Sequence, residues 1–184
     1  LTVTGTAADD TFEATDTDDL IELLGKTTGN ITLADGGAGD PKLKGTAANV
    51  ASVITNARIL NHDSSVVVLS DAAGAVVQAA DLKNINAATD KNVSINAGVV
   101  ISGAIADVNA ALAGKAANTN AATNGIHGMG ANNVVITDLV VDHSALDTLT
   151  SNDGNGGTAP LTSGNITVLS NSITGTGVET DALI

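Results

Sequence analysis

The chain has 184 residues and a net charge of −13, and its 43% hydrophobic content is almost all Ala, Val, Ile and Leu, with one aromatic, Phe12, one Met and no Cys. Only 7 Lys and Arg stand against 20 Asp and Glu, and none lies beyond Lys115; this argues against nucleic-acid binding, which needs cationic contacts to phosphate. No apolar run reaches the roughly 18 residues of a membrane-spanning helix, and without Cys there are no disulfides or thiolate metal sites. The start at Leu1, with no signal-peptide pattern, is expected of a mature processed chain or of a fragment.

In chain order, Leu1 to Thr6 alternate, with Leu1, Val3 and Gly5 on one face and Thr2, Thr4 and Thr6 on the other. This predicts a strand with one polar face. Asp16 to Leu24 predicts a short helix, acidic at its start and ended by Gly25. Asn30 to Leu33 predicts a strand, Asp35 to Pro41 a loop, and Thr46 to Ala57 a helix capped by Thr46, with a strand at Ser52–Thr55 as the alternative. Ser65 to Ser70 predicts a strand. Asp71 is expected to cap the stretch that follows it, with a strand at 75–77 and a helix at 79–87. Asn92 to Ser102 predicts two short strands bent at Asn96-Ala97-Gly98, and Ile105 to Leu112 a helix ended by Gly114. Lys115 to Thr123 reads as a polar surface excursion. Asn133 to Ser144 and Asn165 to Gly177 predict strands with little helical character, separated by a polar loop at Ser151 to Ser163.

Four of these strands share one pattern: Asn, then Val or Ile, any residue, then an aliphatic. They begin at Asn30, Asn92, Asn133 and Asn165, and Ser65 heads a fifth with Ser in place of Asn. The starts 30, 65, 92, 133 and 165 are separated by 35, 27, 41 and 32 residues, a spacing typical of stacked repeats. Asn tolerates the left-handed backbone of a sharp bend, and stacked amides bond from coil to coil; Asn133 and Asn165 are therefore expected to form a ladder. A thin aliphatic column needs no aromatics. The expected fold is mainly β: a single right-handed parallel β-solenoid over 1–184, with short helical insertions in the N-terminal coils (1–115) and regular β-helix coils over 116–184.

Gly125-Ile126-His127-Gly128 followed by Asn133-Val134-Val135-Ile136 resembles the coils of right-handed parallel β-helix proteins of the pectate-lyase-like class, over residues 124–184. That resemblance implies an architecture and no particular activity. Ile101 to Asn109, ISGAIADVN, resembles repeats of very large secreted bacterial surface proteins, which implies an extracellular or cell-surface location.

Seven carboxylates, Asp9, Asp10, Glu13, Asp16, Asp18, Asp19 and Glu22, fall within fourteen residues. Calcium takes about six to eight oxygen ligands, so Asp9, Asp10, Asp16, Asp18 and Asp19 are the expected metal ligands; a solvated acidic turn with helix caps is the alternative. Asp35 to Asp40, DGGAGD, resembles a glycine-rich calcium repeat with one residue missing and no second copy. Asp138, Asp142, His143 and Asp147 are groups of the kind used in acid–base cleavage of glycans. No Lys, Arg, Trp or Tyr accompanies them and the only arginine is Arg58, so they read as a solvated polar face and the chain is not expected to be an enzyme. His62 and His127 read as structural.

The expected function is non-catalytic: a self-assembling subunit or module of an extracellular bacterial filament, surface layer or adhesin, with a glycan-binding or glycan-cleaving protein as the alternative. The expected partner is the chain itself, head to tail, with surface polysaccharide as a further one. Leu1, Thr2, Val3, Thr4, Gly5 and Thr6 carry no charge and lack the Lys or Pro that blunts an edge strand; they are the expected assembly contact.

Overall fold

Aliphatic runs of two to four residues, broken by Asn, Asp, Ser or Gly, can form only short strands, and short strands are what form. The computed structural model describes residues 10–12, 16–33, 42–113, 125–151 and 162–175. Over these residues the order is β1 (Asp10–Phe12), α1 (Thr17–Lys26), β2 (Ile31–Leu33), β3 (Lys42–Gly45), α2 (Ala47–Ile54), β4 (Ile59–Leu60), β5 (Val66–Leu69), β6 (Val76–Gln78) and α3 (Ala79–Ala88). There follow β7 (Asn92–Ser94), β8 (Val100–Gly103), α4 (Ile105–Ala113), β9 (Gly125–His127), β10 (Asn133–Ile136), β11 (Val140–Asp142), α5 (His143–Ser151), β12 (Ile166–Val168) and β13 (Ser172–Thr174).

The described strands make four parallel sheets, ordered β1-β2-β4, β3-β5-β7-β9, β6-β8-β10-β12 and β11-β13. The five helices pack in a row, each on the next. The expected mainly-β, right-handed parallel β-solenoid is therefore overturned. Of the described residues 39% are helical and 31% strand, which is a mixed α/β fold. Nor are helices confined to residues 1–115, because α5 lies among the coils expected to be regular. The reason is visible in the apolar spacing. Ala79, Leu82 and Ile85 of α3, Val108, Ala111 and Leu112 of α4, and Leu146 and Leu149 of α5 are buried at intervals of three or four, one stripe of a helix each.

The core is one continuous aliphatic column. Leu43, Val67, Val93 and Ile126 are in register across the second sheet and wholly buried. Val77, Ile101 and Val134 do the same across the third. Strand side chains alternate faces, so one aliphatic in two points inward. The predicted bend at Gly98 forms, with φ +85° between β7 and β8. Gly25 does not stop α1, which runs on to Lys26 and closes when the Thr27 N–H bonds Leu23 O at 3.0 Å.

Turns of two kinds alternate. Among the described residues, two strands separate α1 from α2 and α3 from α4; three separate α2 from α3 and α4 from α5. Each three-strand turn closes one sheet (β4, β9) and opens another (β6, β11). The three-strand turns are two copies of one unit, 67 positions apart. Asn61 (φ 63°) and Gly128 (φ 92°) are both left-handed, and each leads into a 3₁₀ turn, His62–Ser64 or Met129–Ala131. At the same spacing Ile59 matches Ile126, Val67 matches Val134, Leu69 matches Ile136 and Asp71 matches Asp138.

Candidate functional site

Several polar side chains cap helices or hold one turn to the next. Asp16 caps α1, accepting from the Asp18 N–H at 2.9 Å. Asp18 accepts from Asn49 Nδ2 at 2.6 Å and so ties α1 to α2. Asp19 is exposed. Glu22 pairs with Lys26, whose hydrogen bond and charge hold its carboxyl below the usual range. Asp10 opens β1, where its backbone pairs with Ile31; Asp9 and Glu13 lie outside the described residues, as does Asp35 to Asp40. Among the described residues no three His, Asp or Glu side chains gather closely enough to hold a metal ion, so Asp16, Asp18 and Asp19 do not form such a group.

In the second acidic group, Asp138 and Asp142 both bond backbone N–H groups. Asp138 reaches back 33 residues and accepts from the Ile105 N–H at 2.5 Å, capping α4. Asp142 accepts from the Ser144 N–H at 2.8 Å, and its bonds from the Ser144 hydroxyl and amide lower its pKa. Asp138 precedes β11 and Asp142 ends it, so the two do not share one strand face. Asp71, expected to cap the stretch after it, instead accepts from the Ala47 N–H at 2.8 Å and caps the preceding helix α2.

Arg58 donates to Gly29 O from Nε at 3.0 Å and from Nη2 at 2.8 Å, to Leu24 O at 3.2 Å and to Thr27 O. Its planar fork closes the C-terminal end of α1, where helix carbonyls lack partners. His62 Nδ1 bonds Ala88 O at 3.0 Å, consistent with a structural role.

A repeated hydroxyl, not singled out in the sequence, joins the turns. Thr89 Oγ1 donates to Ser65 O at 2.6 Å and accepts from the Lys91 N–H at 3.1 Å. Thr162 Oγ1 donates to Asn132 O at 2.7 Å and accepts from the Gly164 N–H at 3.0 Å. Both threonines are buried, as is Thr27, which accepts from the Gly29 N–H at 3.1 Å. The signal was available: each stands three residues before an Asn of the strand pattern. In place of the expected ladder, Asn132 and Asn133 bond backbone groups rather than a stacked amide. Asn132, wholly buried, accepts from the Gly98 N–H at 2.7 Å and donates to Gly128 O. Asn133 is exposed, yet its Oδ1 accepts from the Asn165 N–H at 2.9 Å.

The sheet edges differ. β3, at the N-terminal edge of the second sheet, carries exposed Lys42 and Lys44. β12 and β13, at the C-terminal edges, carry no charge. Leu139, Val140, Leu169 and Ile173, four of the eight exposed large apolar side chains, lie on or beside this end. Leu1 to Thr6 lie outside the described residues.

The chain matches no protein-family model, and no curated protein or solved structure matches it.

Proposed function

We propose that this chain is a non-catalytic, self-assembling structural subunit, a part of an extracellular or cell-surface filament, surface layer or adhesin, whose principal partner is itself. One observation supports the reading: Asp71, Arg58, Thr89 and Asp138 bond from one turn to another, while the described strands β12 and β13 are uncharged and bordered by exposed apolar side chains. Uncharged edge strands are templates for pairing, and a head-to-tail contact between unlike ends makes open fibres. Leu1 to Thr6, also uncharged, are the segment proposed to make the complementary contact. The test is light scattering with negative-stain microscopy over a concentration series, in calcium and in chelator. Linear polymers are expected; a chain that stays monomeric in both buffers at high concentration overturns the reading.

A further inference from the structure

We propose that the end formed by β12 and β13 is a docking surface for a second copy of this chain, which lays a parallel strand along β12. This rests on the self-assembly proposed above and names its receiving face.

Among the described residues, the inward columns of the core are least covered at β12 and β13. Ile166 and Val168 are in register with Val134 and Ile136, and Ile173 with Val141. The three inner partners are wholly buried, whereas Ile166 and Val168 are only partly covered and Ile173 is 39% exposed. Leu139, Val140 and Leu169, each more than half exposed, border them. One more strand would give the outer residues the cover that the inner ones have.

A polar group points to the same occupant. Asn133 Oδ1 receives the backbone N–H of Asn165 from the neighbouring strand. Asn165 holds the equivalent place one strand further out; it is exposed, and its side-chain amide has no partner among the described residues. A parallel strand arriving in register would present its N–H there.

The occupant follows from the chain's own repeats. Every pairing between the described strands is parallel, and the arriving strand must be short, alternating and uncharged. Val3-Thr4-Gly5-Thr6 repeats the signature of Leu43-Lys44-Gly45-Thr46, Ile101-Ser102-Gly103-Ala104 and Ile173-Thr174-Gly175-Thr176. Where that signature lies in β3 and β8 it forms a parallel strand against its neighbours. A second copy therefore supplies a matching strand in Leu1 to Thr6. β3 makes a poor receiving edge, because pairing there would desolvate Lys42 and Lys44. Both copies carry −13, so apolar and backbone contact must overcome repulsion, and salt, which screens that repulsion, should promote assembly.

The experiment places a lysine at the receiving edge of the full chain: Thr167→Lys and Ile173→Lys, with Val76→Lys at the opposite edge of the third sheet as control. Each is checked by circular dichroism and melting. The first two should raise the concentration needed for polymerisation at least about tenfold, equivalent to about 1.4 kcal/mol, with the fold intact; Val76→Lys should polymerise like the parent. Should either lysine variant unfold, Asn165→Ala at the same edge should weaken assembly in the same direction. Parent-like assembly of the folded edge variants, or loss only in Val76→Lys, overturns the docking face while leaving self-assembly standing. A parent chain that never polymerises overturns both.

Discussion

The two kinds of turn solve one problem differently. Where the chain passes the N-terminus of α1 it does so as Gly45, so close that an added Cβ would lie 1.8 Å from Thr17 Oγ1. Where it passes α2 it does so as Asp71, which bonds the first helical N–H. The pair is repeated: Gly103 lies against Ala79 at the start of α3, and Asp138 caps α4. The two devices sit two residues apart in register: Gly45 lies opposite Leu69 and Gly103 opposite Ile136, and each aspartate follows two residues later.

The comparison breaks most sharply at Gly45. Gly45→Val should cost about 3 kcal/mol, since the added side chain would run into the wholly buried Thr17. For a chain of this size that lowers the melting temperature by about 6–12 °C. Gly25→Ala is the contrast: nothing lies within 4 Å of its added Cβ, and inside an exposed helix it should stabilise by about 0.5–1 kcal/mol. Similar melting of the two variants would show that α1 yields to the intruding side chain.

The hydroxyl that joins one kind of turn to the other should matter somewhat less. Thr89→Val removes both the bond to Ser65 O and the bond from the Lys91 N–H; with Ser65 wholly buried, the loss should be about 1–3 kcal/mol. Asn132→Ala should fall in the same range, and Asn133→Ala, at an exposed position, well below it. Urea unfolding of the three variants measures the order; a larger loss at Asn133 would put the stacked amide back at the position the sequence pattern suggested.

The smallest effect comes from a by-product of the reaching aspartate. Burial, and then the charge of Asp71, hold the Asp81 carboxyl above its ordinary value of 3.8. The folded chain then keeps this proton to a higher pH than the unfolded chain does. Stability from this group is present at low pH and is lost as pH rises from the ordinary carboxylate value through the raised one. Asp81→Asn should flatten the fall in melting temperature across that window. Parallel curves for variant and parent would mean that Asp81 titrates alike in both states.

Local signals in the sequence were legible. Thr46 starts α2 with a bond from the Asn49 N–H at 3.3 Å, β2, β5, β7, β10 and β12 lie where the Asn and Ser patterns stand, and α3 and α4 lie within a residue of expectation. The helix α5 was obscured because it follows β11 directly and its sequence, HSALDTLTS, mixes β-favouring Thr with only two buried leucines. β3 escaped notice because lysines alternate with its single buried aliphatic, Leu43. The class of the fold was misjudged because each helix is only eight to ten residues long. The contacts of Asp71, Asp138 and Arg58 span 24 to 34 residues, and no window that reads local periodicity can see them.

The backward reach of Asp71 and Asp138 also orders events in time. On a ribosome, residues 47–54 emerge well before residue 71, and Ile105 before residue 138. During that interval α2 and α4 have unfinished N-terminal ends, and helices this short are marginal in water. Each becomes secure only when the succeeding turn docks and delivers its carboxylate 24 or 33 residues later. Synthesis from the N-terminus is thereby expected to leave α2 and α4 incomplete until the turn that follows each has docked.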